Sequence, residues 1–130
     1  MKSKKQAVAI NYFEMGMIPL TVGMATNEKD FYKEMQRLRV PYSNGFVSPG
    51  ASASVKFFDQ GGKSMAIICI DRKSHKKTSW RHVVSVLTHE AVHVWQEAKR
   101  VMGVELIDDE IEAYSIQWIA QMALLEYFGE

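Results

Sequence analysis

The chain has 130 residues, 47% of them hydrophobic and 24% charged, with a formal net charge of +1. That length suits one domain spanning 1–130 with a real core, and the balance excludes a disordered or membrane-embedded chain and offers no bulk positive charge for nucleic acid. Cys69 is the only cysteine, which excludes an internal disulfide and a cysteine-based zinc knuckle.

Residues 1–5 are basic, but Asn11 and Glu14 interrupt the next stretch, so the start does not read as a secretory signal. No apolar run reaches transmembrane length, and a cytoplasmic protein without a membrane partner is expected. Residues 18–24 read as a strand, with Pro19 placing it at a sheet edge or marking its start. A helix opens over 26–30 and brings Phe31, Met35 and Leu38 onto one buried face. Residues 41–53, rich in Ser, Gly, Asn and Pro, are expected as loop. A hairpin signal comes next, with strand 54–58, a turn over 59–63 containing Gly61 and Gly62, and a strand over 65–71. Cys69 lies in the apolar run 66–70, the setting of a buried structural thiol. The basic run 72–77 is expected as a solvated loop, with His75 exposed.

A long helix is predicted over 79–102. Thr78 and Ser79 supply an N-cap, Val83, Val84, Val86, Leu87, Ala91, Val94 and Trp95 a wide apolar stripe, and Gly103 a stop. Lys99 and Arg100 complement the dipole in its last turn. Near its middle stands His89-Glu90-Ala91-Val92-His93. Residues four apart share a helix face, so both imidazoles can reach one metal ion, and Glu90 stands beside them to take a proton from water. This His-Glu-x-x-His pattern is that of zinc metallopeptidases, with Zn²⁺ as the expected cofactor. His82 precedes His89 by two turns, about 10 Å along the axis, too far to join the same metal. Gln96 is either a partner for a liganding histidine or a surface amide.

A zinc site that does chemistry has three protein ligands and one open position. A second helix begins at 108, and Glu110, 17 positions after His93, suits an antiparallel return. Here the chain resembles the gluzincins, whose third ligand is a Glu on the helix after the active-site helix, and most of all the small zincin-like proteins of phages and prophages. The matching stretches are His89-Glu90-Ala91-Val92-His93-Val94-Trp95-Gln96 and Glu110-Ile111-Glu112-Ala113-Tyr114, about a third of the chain. The resemblance implies His89, His93 and Glu110 as metal ligands, with Glu112 a looser fit to the family's Glu-x-x-Ala pattern. Glu110, Ala113, Tyr114 and Gln117 share a face, so the Tyr114 hydroxyl would point into the site and steady an oxyanion, or else serve as a core tyrosine. Farther on, Trp118, Ile119, Met122, Leu125 and Tyr127 are expected as core.

The element order predicts an α+β fold, a minimal zincin-like domain with a small sheet packed against the long helix and the C-terminal ligand helix. The implied activity is hydrolysis of a peptide bond in a protein or peptide substrate, with Glu90 as general base. The substrate would lie extended along a sheet edge formed by strand 65–71 or its partner. The setting would be the cytoplasm, including that of a phage-infected or lysogenic host. Two other readings stand beside it. One is a catalytically silent binding or virion-associated protein whose metal is structural. The other is a pair of core histidines with no metal.

Overall fold

The computed structural model describes residues 7–13, 15–16, 18–41 and 45–129. The basic start, Glu14 and positions 42–44 of the expected loop lie outside these. In chain order the elements are β1 (Asn11–Phe13), β2 (Thr21–Ala25), α1 (Glu28–Leu38), β3 (Ser54–Gln60), β4 (Lys63–Cys69), α2 (Trp80–Met102) and α3 (Asp109–Phe128), with a single 3₁₀ turn at Lys73–His75. The fold class is α+β. The four strands form one mixed sheet in the order β1-β2-β4-β3, parallel only between β2 and β4.

Side chains alternate across the sheet as a period of two demands. Val22, Met24, Ala66, Ile68 and Ile70 point to the face covered by α2 and α3, where they meet Leu87, Val94, Trp95, Ile119 and Ala123. Ala25, Met65, Ile67 and Cys69 point to the other face, under Phe31, Met35 and Leu38 of α1. Both faces of β4 are therefore buried, which is why its stretch Met65–Cys69 is apolar without alternation. The expected thiol burial holds, since Cys69 is fully buried and desolvation pushes it up to about 12.

Local signals set the element ends. Asn27 Oδ1 accepts from the Asp30 N–H at 2.8 Å to open α1. Gly61 and Gly62 both take positive φ (57° and 78°), the two-residue turn that matches strand twist in a hairpin. Ser79 Oγ caps α2 through the His82 N–H, and Gly103 closes it at φ 70°. Asp108 Oδ1 caps α3 through the Glu110 and Ile111 N–H groups.

Two expectations with open alternatives are decided and two need correction. Pro19 precedes β2, an interior strand, so of an edge and a start it marks the start. Of strand 65–71 and its partner, it is the partner β3 that has a free edge, because β4 lies between β2 and β3. His75 is not exposed: its Nε2 donates to the Ser52 carbonyl at 3.0 Å, drawing the ring under segment 51–53. The basic run is more than a solvated loop, because Arg72 donates to the Tyr127 carbonyl (2.6 Å) at the end of α3 and lies 4.4 Å over that ring.

Gly23 in β2 is required by close approach. A Cβ there would meet the Tyr12 ring at 2.8 Å and Ile10 at 3.0 Å. The ring cannot retreat, because the Tyr12 hydroxyl is tied to Glu34. Gly23→Ala is expected to lower stability by about 1–3 kcal/mol through overpacking, read by urea unfolding. An unchanged midpoint would mean that Tyr12 gives way freely.

Candidate metal centre

The middle of α2 presents His89 and His93 to solvent one turn apart, while Glu90, the next residue around the helix, turns inward and is only 6% exposed. The two ring Nε2 atoms lie 3.1 Å apart and the ring centroids 4.7 Å. Two nitrogens held at about 2.0–2.1 Å by a tetrahedral ion stand roughly 3.3 Å apart. The pair therefore converges on one point at the spacing a single metal ion demands. In that contact one nitrogen donates and the other accepts, so at least one of them offers a lone pair.

His93 is further oriented from behind. Its Nδ1 lies 3.0 Å from Gln96 Oε1, an arrangement in which Nδ1–H donates to the amide oxygen and Nε2 is turned toward His89. Of the two readings of Gln96, the one that partners a histidine is what the structure shows.

Glu90 lines a cleft of about 460 Å³ together with Ala51, Ser52, Ala53, Ser85, Val86 and His89. Burial pushes its carboxyl above the usual range, and the charges of His89 and His93 pull it part of the way back. The wall opposite α2 is segment 51–53, which leads into the edge strand β3 and is held from behind by His75 through the Ser52 carbonyl. His75 Nδ1 lies 3.3 Å from Thr78 Oγ1, which also bonds the His75 carbonyl at 2.9 Å. Sequence reasoning missed this histidine, and the local signal was its spacing of three from Thr78. His82 packs against the His75 ring, centroids 5.7 Å apart, and takes no part in the histidine pair.

The first turn of α3 does not join this group. Glu110 is exposed, and Tyr114 is 66% exposed on the same outward face. Glu112 is the acid that faces α2, but it accepts from Trp95 Nε1 at 2.8 Å and lies 3.5 Å from Lys99 Nζ. The Trp95 N–H, with Lys99, holds its carboxyl below the usual range. This contact fixes the rotation of α3. Glu110, about 200° around the helix from Glu112, then faces solvent. Among the described residues no cluster of three or more His, Cys, Asp or Glu side chains is arranged to hold a metal. The two nitrogens are donors of the kind zinc takes, and among the described residues no third protein ligand is gathered beside them.

Comparison with protein-family models, with curated proteins and with solved structures finds no match to this chain. Among the described residues no helix is long and apolar enough to cross a membrane.

Proposed function

We propose that the chain is a zinc-dependent peptidase of the gluzincin type acting in the cytoplasm, including that of a phage-infected or lysogenic host. The observation that carries the reading is the convergent Nε2 pair of His89 and His93 beside the buried Glu90. His89 and His93 would hold the metal. Glu110 would complete the set by leaving its exposed place in the first turn of α3. When bound, zinc supplies Lewis-acid polarisation and makes water acidic near neutral pH. Glu90 takes a proton from the attacking water in the cleft and returns it to the amide nitrogen as the C–N bond breaks.

β3 gives this reading a place for substrate. It is bonded to β4 along one side only and runs beside α2, with Val55 packed into the core under that helix and Asp59 within electrostatic reach of Arg100. An extended peptide added to its outer side would pass the cleft beside Glu90. Tyr114, exposed on the same outward face of α3 as Glu110, would reach the cleft and steady an oxyanion only if that face turned inward with Glu110.

Elemental analysis of the purified chain beside His93→Ala and Glu110→Ala tests the site. One zinc per chain, lost in both variants, is the expected result. Zinc lost only with His93→Ala would remove Glu110 from the ligand set and make Glu112 the next candidate. A well-folded wild type that takes up no metal would overturn the reading.

A second reading is a metal-binding protein that cleaves nothing. The exposed position of Glu110, outside any metal-holding cluster among the described residues, favours it. It is separated from the first by the Glu90 variant argued below.

A further inference from the structure

The cleft beside Glu90 shares Ala51 and Ser52 with a second, larger cavity of about 690 Å³, so the two spaces meet at one partition. That partition is fixed, because buried His75 lines the second cavity and donates to the Ser52 carbonyl. Along α2 the cleft is bounded by Ser85, Val86, His89 and Glu90, and the second cavity by His82, two turns before His89. β3 leaves the cleft in the opposite direction, toward Arg100. An extended peptide paired with β3 and passing Glu90 therefore runs on toward the second cavity.

The walls of that cavity are of two kinds. Phe46, Val47, Pro49 and Ala51 are apolar, whereas Glu28 and Asp71 bring negative charge. No lysine or arginine lines it, and its other ionisable side chains are Tyr32, His75 and His82. Among the described residues neither carboxylate is paired with a cation. Asp71 accepts from the Ser74 hydroxyl at 2.8 Å and the Lys73 N–H at 3.1 Å, two neutral donors that leave its charge uncompensated. Glu28 is exposed in the first turn of α1. The neighbouring basic run does not neutralise them from within the cavity: Arg72 is turned to the Tyr127 carbonyl, and Lys73, Lys76 and Lys77 are exposed outside its walls. A recess with apolar sides and unpaired carboxylates suits a side chain that buries an aliphatic stem and ends in a positive charge.

We infer that this cavity is a specificity subsite that takes a lysine or arginine side chain of the peptide substrate. The inference rests on the peptidase reading for the bond that is cut, but not for binding. The stem lies against Phe46, Val47 and Pro49, and the charged head meets Asp71 and Glu28. An acidic side chain would face the same two carboxylates with no lining cation to answer it, which is how the site would discriminate. Distance sets the register. His82 and His89 are about 10 Å apart along the helix axis, and an extended chain advances about 3.4 Å per residue. The basic residue thus stands about three positions from the scissile bond.

Fluorescence anisotropy on the Glu90→Gln protein tests binding without cleavage. The probes are two short fluorescein-labelled peptides of threonine and alanine, one with a single arginine and one with glutamine in its place. The arginine peptide is expected to bind about tenfold more tightly. Adding Glu28→Gln and Asp71→Asn, which keep size and remove charge, should bring the two within about twofold. Equal affinities before those changes, or a preference that survives them, overturn the subsite. Glu28→Lys, at an exposed position, should weaken the arginine peptide alone, and an unchanged affinity would also overturn the subsite. Cleavage is read separately, from the sites cut by the wild type in an unfolded protein. Cuts about three residues from lysine or arginine are expected. An arginine preference in binding with no cleavage would keep the subsite and sink the peptidase reading; cleavage with no basic preference would do the reverse.

Discussion

Replacing Glu90 by Gln is expected to slow peptide hydrolysis by about 10²–10⁴-fold while zinc per chain stays the same. The substitution keeps the size of a side chain that is only 6% exposed between α2 and segment 51–53, so packing is preserved. It removes the one basic oxygen placed beside the histidine pair. Metal content should not move, because the two Nε2 atoms and the Gln96 bond to His93 are untouched. Initial rates on a peptide mixture, measured for zinc-loaded wild type and variant, check this. Equal rates would assign the cleavage to something other than Glu90. A zinc-loaded wild type that cleaves neither peptides nor unfolded protein would favour the silent metal-binding reading instead.

Glu34→Ala is expected to cost about 2–4 kcal/mol of folding stability, although the residue lies far from the histidines in sequence and on the other face of the sheet. Glu34 is fully buried on α1. It accepts from Arg37 Nε and Nη2 (2.8 and 2.6 Å), from the Tyr12 hydroxyl (2.5 Å) and from the Ala9 N–H (3.1 Å). Its removal strands four donor groups from three residues and unties β1 from α1. Arg37 is partly exposed and can turn to water, which keeps the cost below that of a fully buried pair.

The same network sets a pH dependence. Burial pushes the Glu34 carboxyl up, but the bonds from Arg37, Tyr12 and Ala9 outweigh it and hold the group below the usual carboxylate range. A depressed folded value contributes stability above the unfolded value, near 4.3, and that contribution is lost as pH falls through the folded one. The stability gap between wild type and Glu34→Gln should therefore narrow on acidification below about pH 4. Burial and the adjacent carboxylate raise Tyr12 above its ordinary value, so its own contribution is lost on the alkaline side, above about pH 10. Urea unfolding at several pH values reads both arms. A Glu34→Ala midpoint matching wild type would show that the network contributes nothing net.

Much of the architecture was legible locally. The ends of α2 were readable to within a residue, because Ser79 and Gly103 act on the backbone next to them. The hairpin was readable from Gly61 and Gly62, whose positive φ values no ordinary side chain favours. β1 gave no signal, since three residues are too few to show a period. The burial of His75 and the capping of α3 by Arg72 were hidden inside a basic run whose composition argued for solvent. Both depend on partners distant in sequence, Ser52 and Tyr127.

α3 shows the limit most sharply. Periodicity identifies a helix's inner face when one stripe is apolar, but here both sides are, so Trp118 and Leu125 looked like core and Glu110 looked inward-facing. The Trp95–Glu112 hydrogen bond chose the rotation, and no count of intervals along the chain contains that choice.

By itself, then, the amino-acid order determined the convergence of His89 and His93, because a spacing of four on any α-helix puts two imidazoles within reach of one point. It also determined that Glu90 would stand next to them. Only the tertiary structure decided that Glu90 is buried against segment 51–53, that β3 and not β4 offers an edge, and that Glu110 faces outward. Those outcomes depend on which helix face meets which sheet face, and that is set by packing between residues far apart in the chain.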